Sequence, residues 1–303
     1  MAADGFVPSA GFTETAPAKV NLTLRVTGRR ADGYHELCSV VCFADAGDGL
    51  RLSGGPALDL SVEGETAAQS GAISDNLVLK AARALQDQVP DLKVGRFQLT
   101  KLLPVAAGLG GGSSDAAAAL RLLARLNELA PVDWRLMHAA RATGADVPVC
   151  LDPRPRIMRG IGELLSAPLA LPKLHAVLIN PRVACPTGPV FKALGELSGG
   201  DDPAAQLLEK NDAPDAAPLI EALKRSSNDL EAPALSLVPA IGEVLSALRA
   251  TGGCQLARMS GSGATCFGLF DSAQAADAAA AKLQSDHPAW WVKRTAFGGQ
   301  AAI

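Results

Sequence analysis

The sequence predicts an α+β fold in two domains. Strand-like and helix-like stretches are mixed without the regular strand–helix–strand alternation of a doubly wound sheet. The chain has 303 residues, 48% of them hydrophobic, which is long for one core and enough for two. Each half carries one glycine-rich turn between periodic stretches. The expected domains are residues 1–170 and 171–303.

Taken in order, the first dozen residues are rich in Gly, Pro, Ser and Ala and are expected to be a loose extension. Ala18 to Val26 alternates strictly, with Val20, Leu22, Leu24 and Val26 on one face and Lys19, Asn21, Thr23 and Arg25 on the other. That period of two predicts a half-buried strand. Ala31-Asp32-Gly33 marks a turn, and His35–Phe43 a second strand. Gly47-Asp48-Gly49 and Gly54-Gly55-Pro56 are expected to separate short strands at Leu50–Leu52 and Leu58–Val62. A helix is expected over Asn76–Gln88, with Asp75 as its cap. A strand over Arg96–Leu103 precedes a glycine-rich loop, Pro104–Gly112. Helices follow at Ser113–Asn127 and Trp134–Thr143, then a turn and a short apolar strand over Gly144–Leu151. In the second half, strands are expected at Ala176–Asn180, Gln255–Met259, Cys266–Phe270 and Trp290–Ala296. Helices are expected at Pro189–Leu197, Ala216–Asn228, Pro239–Ala250 and Ala273–Asp286, with a polar loop over Gly199–Pro218.

A net charge of −3 offers no basic excess for nucleic acid or a membrane surface. Cys38, Cys42, Cys150, Cys185, Cys254 and Cys266 show neither CxxC nor zinc spacing and are expected to be reduced, packed thiols. Met1–Gly11 has neither a basic start nor an apolar core, so it does not read as a signal peptide. No stretch approaches the ~18 apolar residues of a membrane span. The protein is expected to be cytoplasmic.

The strongest local signal is Pro104-Val-Ala-Ala-Gly108-Leu109-Gly110-Gly111-Gly112-Ser113-Ser114-Asp115, between a strand and a helix. Glycines admit positive φ and let backbone N–H groups approach a ligand closely. The helix start adds unpaired N–H donors and the positive end of its dipole. Together these suit a polyphosphate. No Gly-Lys-Ser/Thr follows, so this is not a Walker A loop. Ser113 stands where the third glycine of a dinucleotide fingerprint belongs.

This loop resembles the Pro-x-x-x-Gly-Leu-Gly-Gly-Gly-Ser-Ser phosphate loop of the GHMP kinase superfamily. Pro17-Ala18-Lys19-Val20-Asn21-Leu22 resembles that superfamily's first motif. Met259-Ser260-Gly261-Ser262-Gly263-Ala264-Thr265-Cys266-Phe267 resembles its third. All three stand in family order and cover most of the chain. Thr27–Leu37, Gly144-Ala145-Asp146-Val147-Pro148 and Pro186-Thr187-Gly188 resemble the branch that acts on a cytidine-diphosphate-linked alcohol. Ala106 and Ala107 depart from the pattern, standing where some relatives have glycine.

The resemblance implies an N-terminal domain like ribosomal S5 domain 2 and a ferredoxin-like C-terminal domain. It implies ATP, Mg²⁺ and a small-molecule acceptor bearing a cytidine diphosphate group. Lys19 and Asp146 would be catalytic, Asp146 as general base. Gly108, Leu109, Gly110, Gly111, Gly112, Ser113 and Ser114 would hold ATP phosphates, with Asn76 and Lys101 near the adenine. Asn21, Tyr34, His35, Thr187 and Phe191 would bind the acceptor: Tyr34 and Phe191 as stacking faces, His35 at the cytosine edge, Thr187 by the diphosphate. No metal ligand stands out; Ser114 is a candidate. Read from residue type alone, Lys19 would be a solvated strand lysine, Asp146 a turn residue, Asn76 part of a helix cap and Lys101 a surface lysine. A kinase for another small alcohol, and a ligand-sensing protein that keeps the fold without turnover, remain open here.

Overall fold

The computed structural model describes residues 11–195, 200–210 and 214–299. In chain order its strands are β1 (Phe12–Asn21), β2 (Arg25–Arg29), β3 (His35–Gly55), β4 (Asp59–Glu63), β5 (Val94–Thr100), β6 (Arg156–Gly160), β7 (Leu164–Leu165), β8 (Leu174–Asn180), β9 (Cys254–Met259), β10 (Cys266–Phe270) and β11 (Trp291–Phe297). Its α-helices are α1 (Leu77–Gln86), α2 (Gly111–Leu126), α3 (Trp134–Thr143), α4 (Val147–Leu151), α5 (Thr187–Lys192), α6 (Pro203–Lys210), α7 (Ala216–Arg225), α8 (Glu231–Leu237), α9 (Ala240–Arg249) and α10 (Ala273–Asp286). The chain forms two compact units that interleave along the sequence. The first holds the chain up to Ala18, Gly47–Val105 and Gly111–Asp152. The second holds Lys19–Ala46, Ala106–Gly110 and everything from Pro153 on.

In the first unit, β5 pairs in parallel with β4 and antiparallel with Gly49–Gly55 of β3. Period-two alternation buries Phe97 and Leu99 of β5 and Leu50 and Leu52 of β3. Helix α2 packs on α1, α3 and α4. Its Ala116–Ala119 run is fully buried, and small side chains let those helices approach closely.

In the second unit, β8 lies between β11 and β10, and β10 pairs with β9, all antiparallel. Val177 and Ile179 of β8 and Cys266 of β10 join Val244 and Leu248 of α9 and Ala276 and Leu283 of α10 in one apolar core. The Asp32-Gly33 turn is where expected: Gly33 takes φ 89° and Tyr34 N–H donates to Asp32 Oδ1 at 3.1 Å. The strands that flank this turn, β2 and β3, pair antiparallel.

Several segments differ from their sequence expectation, each for a local reason. Ala18–Val26 is not one strand. β1 ends at Asn21, and Leu24 turns to bond the 227–229 segment, donating to Ser227 O at 2.9 Å and accepting from Asp229 N at 2.8 Å. Its polar face is not solvated either, because Lys19, Asn21 and Thr23 are all buried. Gly47 does not break β3; a Cβ there would sit 2.4 Å from Ala16 O, so the glycine serves close backbone approach. Asn76, not Asp75, caps α1, accepting from Val78 N at 2.9 Å. Val147–Leu151 is helical; Pro148 sits in its first turn, where a missing N–H costs nothing. Within the expected polar loop, 203–210 is a helix: Asp202 Oδ1 accepts from Ala204 N at 3.0 Å, and Ala204, Ala205 and Leu208 are buried. Gly199 and residues 211–213 lie outside the described residues, as do residues 1–10 of the expected N-terminal extension. β6, β7 and α8 have no counterpart in the sequence reading. All six cysteines are free thiols, five of them buried. Among the described residues, no helix is long and apolar enough to cross a membrane.

Arg258 ties β9 to two neighbouring segments. It is buried, and its Nη1 donates to Leu22 O at 2.8 Å while Nη2 donates to Leu223 O and Ser226 O at 2.8 and 2.6 Å. Arg258→Leu orphans three buried carbonyls and is expected to lower unfolding free energy by about 3 kcal/mol or more. Urea denaturation measures this; an unchanged midpoint would contradict the anchoring role.

Candidate active site

Lys19, near the end of β1, is only 5% exposed, so it is not a solvated strand lysine. Its backbone N–H donates to Leu109 O at 2.8 Å, tying the strand to the glycine-rich loop. Gly110 takes φ 60°, and a Cβ there would lie 3.2 Å from Lys19 Cβ and 3.3 Å from its Cε. A side chain at 110 would therefore press on the lysine stem. Gly108 is stricter. It takes φ 74°, and a Cβ would meet Ser260 O at 2.4 Å. Ser260 Oγ donates to Gly108 O at 3.0 Å and accepts from Asn21 N at 3.1 Å. One serine thus holds the first motif, the phosphate loop and the third motif together.

Ala106 takes φ 51°. An alanine carries the left-handed conformation that glycine adopts freely, at the position where the sequence departs from the family pattern. By contrast, Gly111 and Gly112 open α2 and do not have positive φ. They keep the helix start bare: a Cβ at Gly111 would have nothing closer than 3.6 Å. Ser113 is half-buried beside them. Ser114 is fully buried and its hydroxyl donates to Pro17 O at 2.8 Å, so it anchors α2 to β1 rather than presenting a ligand.

Lys101 is not a surface lysine. It is 4% exposed, with its Nζ held by Asp48 and, at 2.8 Å, by Asp115. Asp48 Oδ1 also accepts from Leu102 N at 2.6 Å and Leu103 N at 2.9 Å, fixing the exit of β5. The three charges lie beneath the start of α2, where a Cβ on Gly111 would be 3.6 Å from both Asp48 Oδ2 and Lys101 Nζ. Burial pushes the Asp115 carboxyl up to about 7, against the pull of the Lys101 ammonium; both carboxylates raise the lysine. Asp48 and Asp115 were missed in the sequence reading: a carboxylate in a Gly-Asp-Gly stretch and one after Ser-Ser look like turn and cap residues. Asn76 spends its Oδ1 on capping α1.

Asp146 is half-buried at the start of α4, and its side chain makes no capping bond to that helix. In the second unit, His35 and Phe191 come together with ring centroids 5.0 Å apart and planes at 28°. Thr187, at the start of α5, shares a 2.7 Å hydroxyl–hydroxyl bond with Ser262 of the third motif. Tyr34 projects outward, 61% exposed. Among the described residues no three His, Cys, Asp or Glu side chains gather as a metal site.

Known proteins carry the same pattern. The family described as GHMP kinases N terminal domain matches residues 76–152, and GHMP kinases C terminal matches residues 204–289. A 4-diphosphocytidyl-2-C-methyl-D-erythritol kinase of Xanthobacter autotrophicus is 57% identical, over 92% of this chain and 97% of its own. One from Rhodopseudomonas palustris is 58% identical, over 92% and 95%. A crystal structure of 4-(cytidine 5'-diphospho)-2C-methyl-D-erythritol kinase superposes with a TM-score of 0.75 at 35% identity, over 95% of this chain and all of that one. A homoserine kinase from Cytophaga hutchinsonii, at 18% identity and a TM-score of 0.70, shares the fold.

The buried charges make a stability prediction. Lys101→Met leaves two carboxylates without their cation and is expected to cost about 3–5 kcal/mol. At low pH the loss shrinks, because Asp115 takes up a proton as pH falls through about 7 and no longer needs the lysine. Urea denaturation at pH 6 and pH 8 reads the difference; a larger loss at pH 6 would reverse the sign and refute it.

Proposed function

The chain belongs to the GHMP kinases, in the family of the 4-diphosphocytidyl-2-C-methyl-D-erythritol kinases, and we infer that it transfers the γ-phosphoryl group of ATP to the 2-hydroxyl of 4-diphosphocytidyl-2-C-methyl-D-erythritol. This is a step of non-mevalonate isoprenoid precursor biosynthesis, and we place it in the cytoplasm. The observation that carries the substrate is an identity sustained along nearly the whole chain to kinases of that name. It argues against both a different alcohol and a sensor without turnover.

Phosphoryl transfer asks a protein mainly for positioning and for charge stabilisation. The glycine loop and the bare start of α2 offer backbone N–H groups to the phosphates. Lys19, packed against Gly110, supplies a fixed positive charge beside that loop. Asp146 takes the proton of the acceptor hydroxyl as it attacks. Mg²⁺, when bound with ATP, would neutralise phosphate charge. The residues described here form no pocket of their own for it, and Ser114, buried and bonded to Pro17, does not fit as its ligand. Lys101 and Asn76 act at the nucleotide indirectly, by fixing the starts of α2 and α1.

At the acceptor end, His35 and Phe191 stand side by side, Phe191 to stack on the base and His35 to meet its polar edge. A separation of 5.0 Å is too small to admit a ring between them. Tyr34, exposed to solvent, offers a second stacking face to the base. Thr187, fixed by Ser262, sits by the diphosphate.

The deciding assay is ADP release with the cytidyl acceptor against mevalonate, homoserine and galactose; turnover is expected with the first alone, and preference for another alcohol would refute the substrate. Asp146→Asn keeps the shape and removes the proton acceptor, so kcat is expected to fall by about 10²-fold or more with acceptor affinity little changed. Near-normal kcat would exclude Asp146 as the base. His35→Ala should narrow the kcat/KM gap between cytidyl and uridyl acceptors, because an unpaired polar edge is what penalises the wrong base. A constant ratio would mean that the edge is read elsewhere.

A further inference from the structure

Asn21 carries an acceptor that the protein itself does not use. The residue is 2% exposed, and its Oδ1 has no hydrogen-bond partner among the described residues. The other end of the amide is committed: Nδ2 donates to Ser39 Oγ at 2.7 Å. Ser39 has one hydroxyl proton and gives it to Thr23 O at 2.5 Å, so towards Asn21 its oxygen can only accept. Turning the amide over would set Oδ1 against that oxygen, two acceptors face to face.

The rest of the chain of bonds is equally fixed. Thr23 hydroxyl donates to Asp202 and accepts from Val40 N at 3.0 Å. Asp202 is buried and also accepts from Ser226 Oγ at 2.7 Å. The orientation of one amide is therefore held through Ser39, Thr23 and Asp202. Its Oδ1 faces the third motif, where a Cβ on Gly261 would lie 3.5 Å away. A buried acceptor without a donor destabilises the fold, because it has given up water and gained nothing in exchange. Spending that cost, with the orientation locked, makes sense where a ligand supplies the donor.

We propose that Ser39 is a positioning residue that sets the Asn21 amide so that its Oδ1 accepts a hydrogen bond from a hydroxyl of the phosphoryl acceptor. The proposal rests on the kinase function inferred above. It also gives Asn21 a discriminating role. An alcohol has a proton to donate, whereas an ionised phosphate oxygen has none, so the same atom welcomes the acceptor and repels a misplaced nucleotide phosphate.

The test is a double-mutant cycle on Ser39→Ala and Asn21→Ala, with KM measured separately for ATP and the cytidyl acceptor. Each single change is expected to lower kcat/KM for the acceptor by about tenfold, the worth of one oriented hydrogen bond. KM for ATP should stay unchanged. The double variant should fall no further than the worse single one, since the pair acts as a unit. Losses that multiply, or a Ser39→Ala enzyme whose ATP and acceptor KM rise together, overturn the proposal in favour of a purely structural serine. Independently of whether the variants fold, a crystal structure of the wild-type enzyme with acceptor should show Asn21 Oδ1 about 3 Å from an acceptor hydroxyl. Oδ1 facing no ligand donor overturns the proposal as well. Wild-type turnover, measured first, tests the function. Normal wild-type turnover beside an undiminished Ser39→Ala enzyme sinks this inference alone.

Discussion

Lys19 and Asn21 at the end of β1, and Thr23 just beyond it, lie where water is excluded, and a polar group so placed must find a partner or cost about 1–3 kcal/mol. Much of the second unit answers that demand. Thr23 draws in Asp202, which starts α6. Asn21 draws in Ser39 through its side chain and Ser260 through its backbone. Leu22, between them, gives its carbonyl to Arg258. Lys19 bonds the phosphate loop through Leu109. A first motif, a second and a third, far apart in sequence, meet because one short strand cannot satisfy its own polar groups locally.

The phosphate loop shows the complementary constraint, imposed by space rather than by hydrogen bonding. Gly108 is required because its neighbour is a carbonyl oxygen, and Gly110 because its neighbour is the lysine stem. Gly111 and Gly112 are under no such pressure from the protein. A Cβ at Gly111 would have Asp48, Leu103 and Lys101 at 3.6 Å, and one at Gly112 would have Leu77 at 3.5 Å, all ordinary contact distances. Two pairs of glycines in one run thus differ: close neighbours demand the first pair and leave room at the second.

Beneath that helix start, the Asp48–Lys101–Asp115 cluster fixes β3, the exit of β5 and α2 to one another. Two carboxylates share one ammonium away from water, and burial opposes the ionisation of Asp115. Such a cluster is poor at adding net stability, yet it tolerates little rearrangement, because moving any one member exposes an unpaired charge. That rigidity holds the start of α2 in place.

The sequence by itself determined the helices and strands whose pattern is repeated over many residues. α3 and α10 fall on the residues their periodicity marks, as does β10, and the Asp32-Gly33 turn follows from glycine's access to positive φ. The ordered motifs also fixed the family, and glycine at 108 and 110 marks the positive φ found there, since backbone freedom is written in residue type. Contacts between distant residues are not written there. Gly47 looks like a turn until Ala16 O is seen against it. Lys101 looks like a surface lysine until Asp48 and Asp115 close on it. Asn21 looks like one residue of a solvated face until Ser39 turns its amide. Only the tertiary structure decided these, because burial and partnership are properties of the packed chain, and the same residue type is cheap in water and demanding out of it.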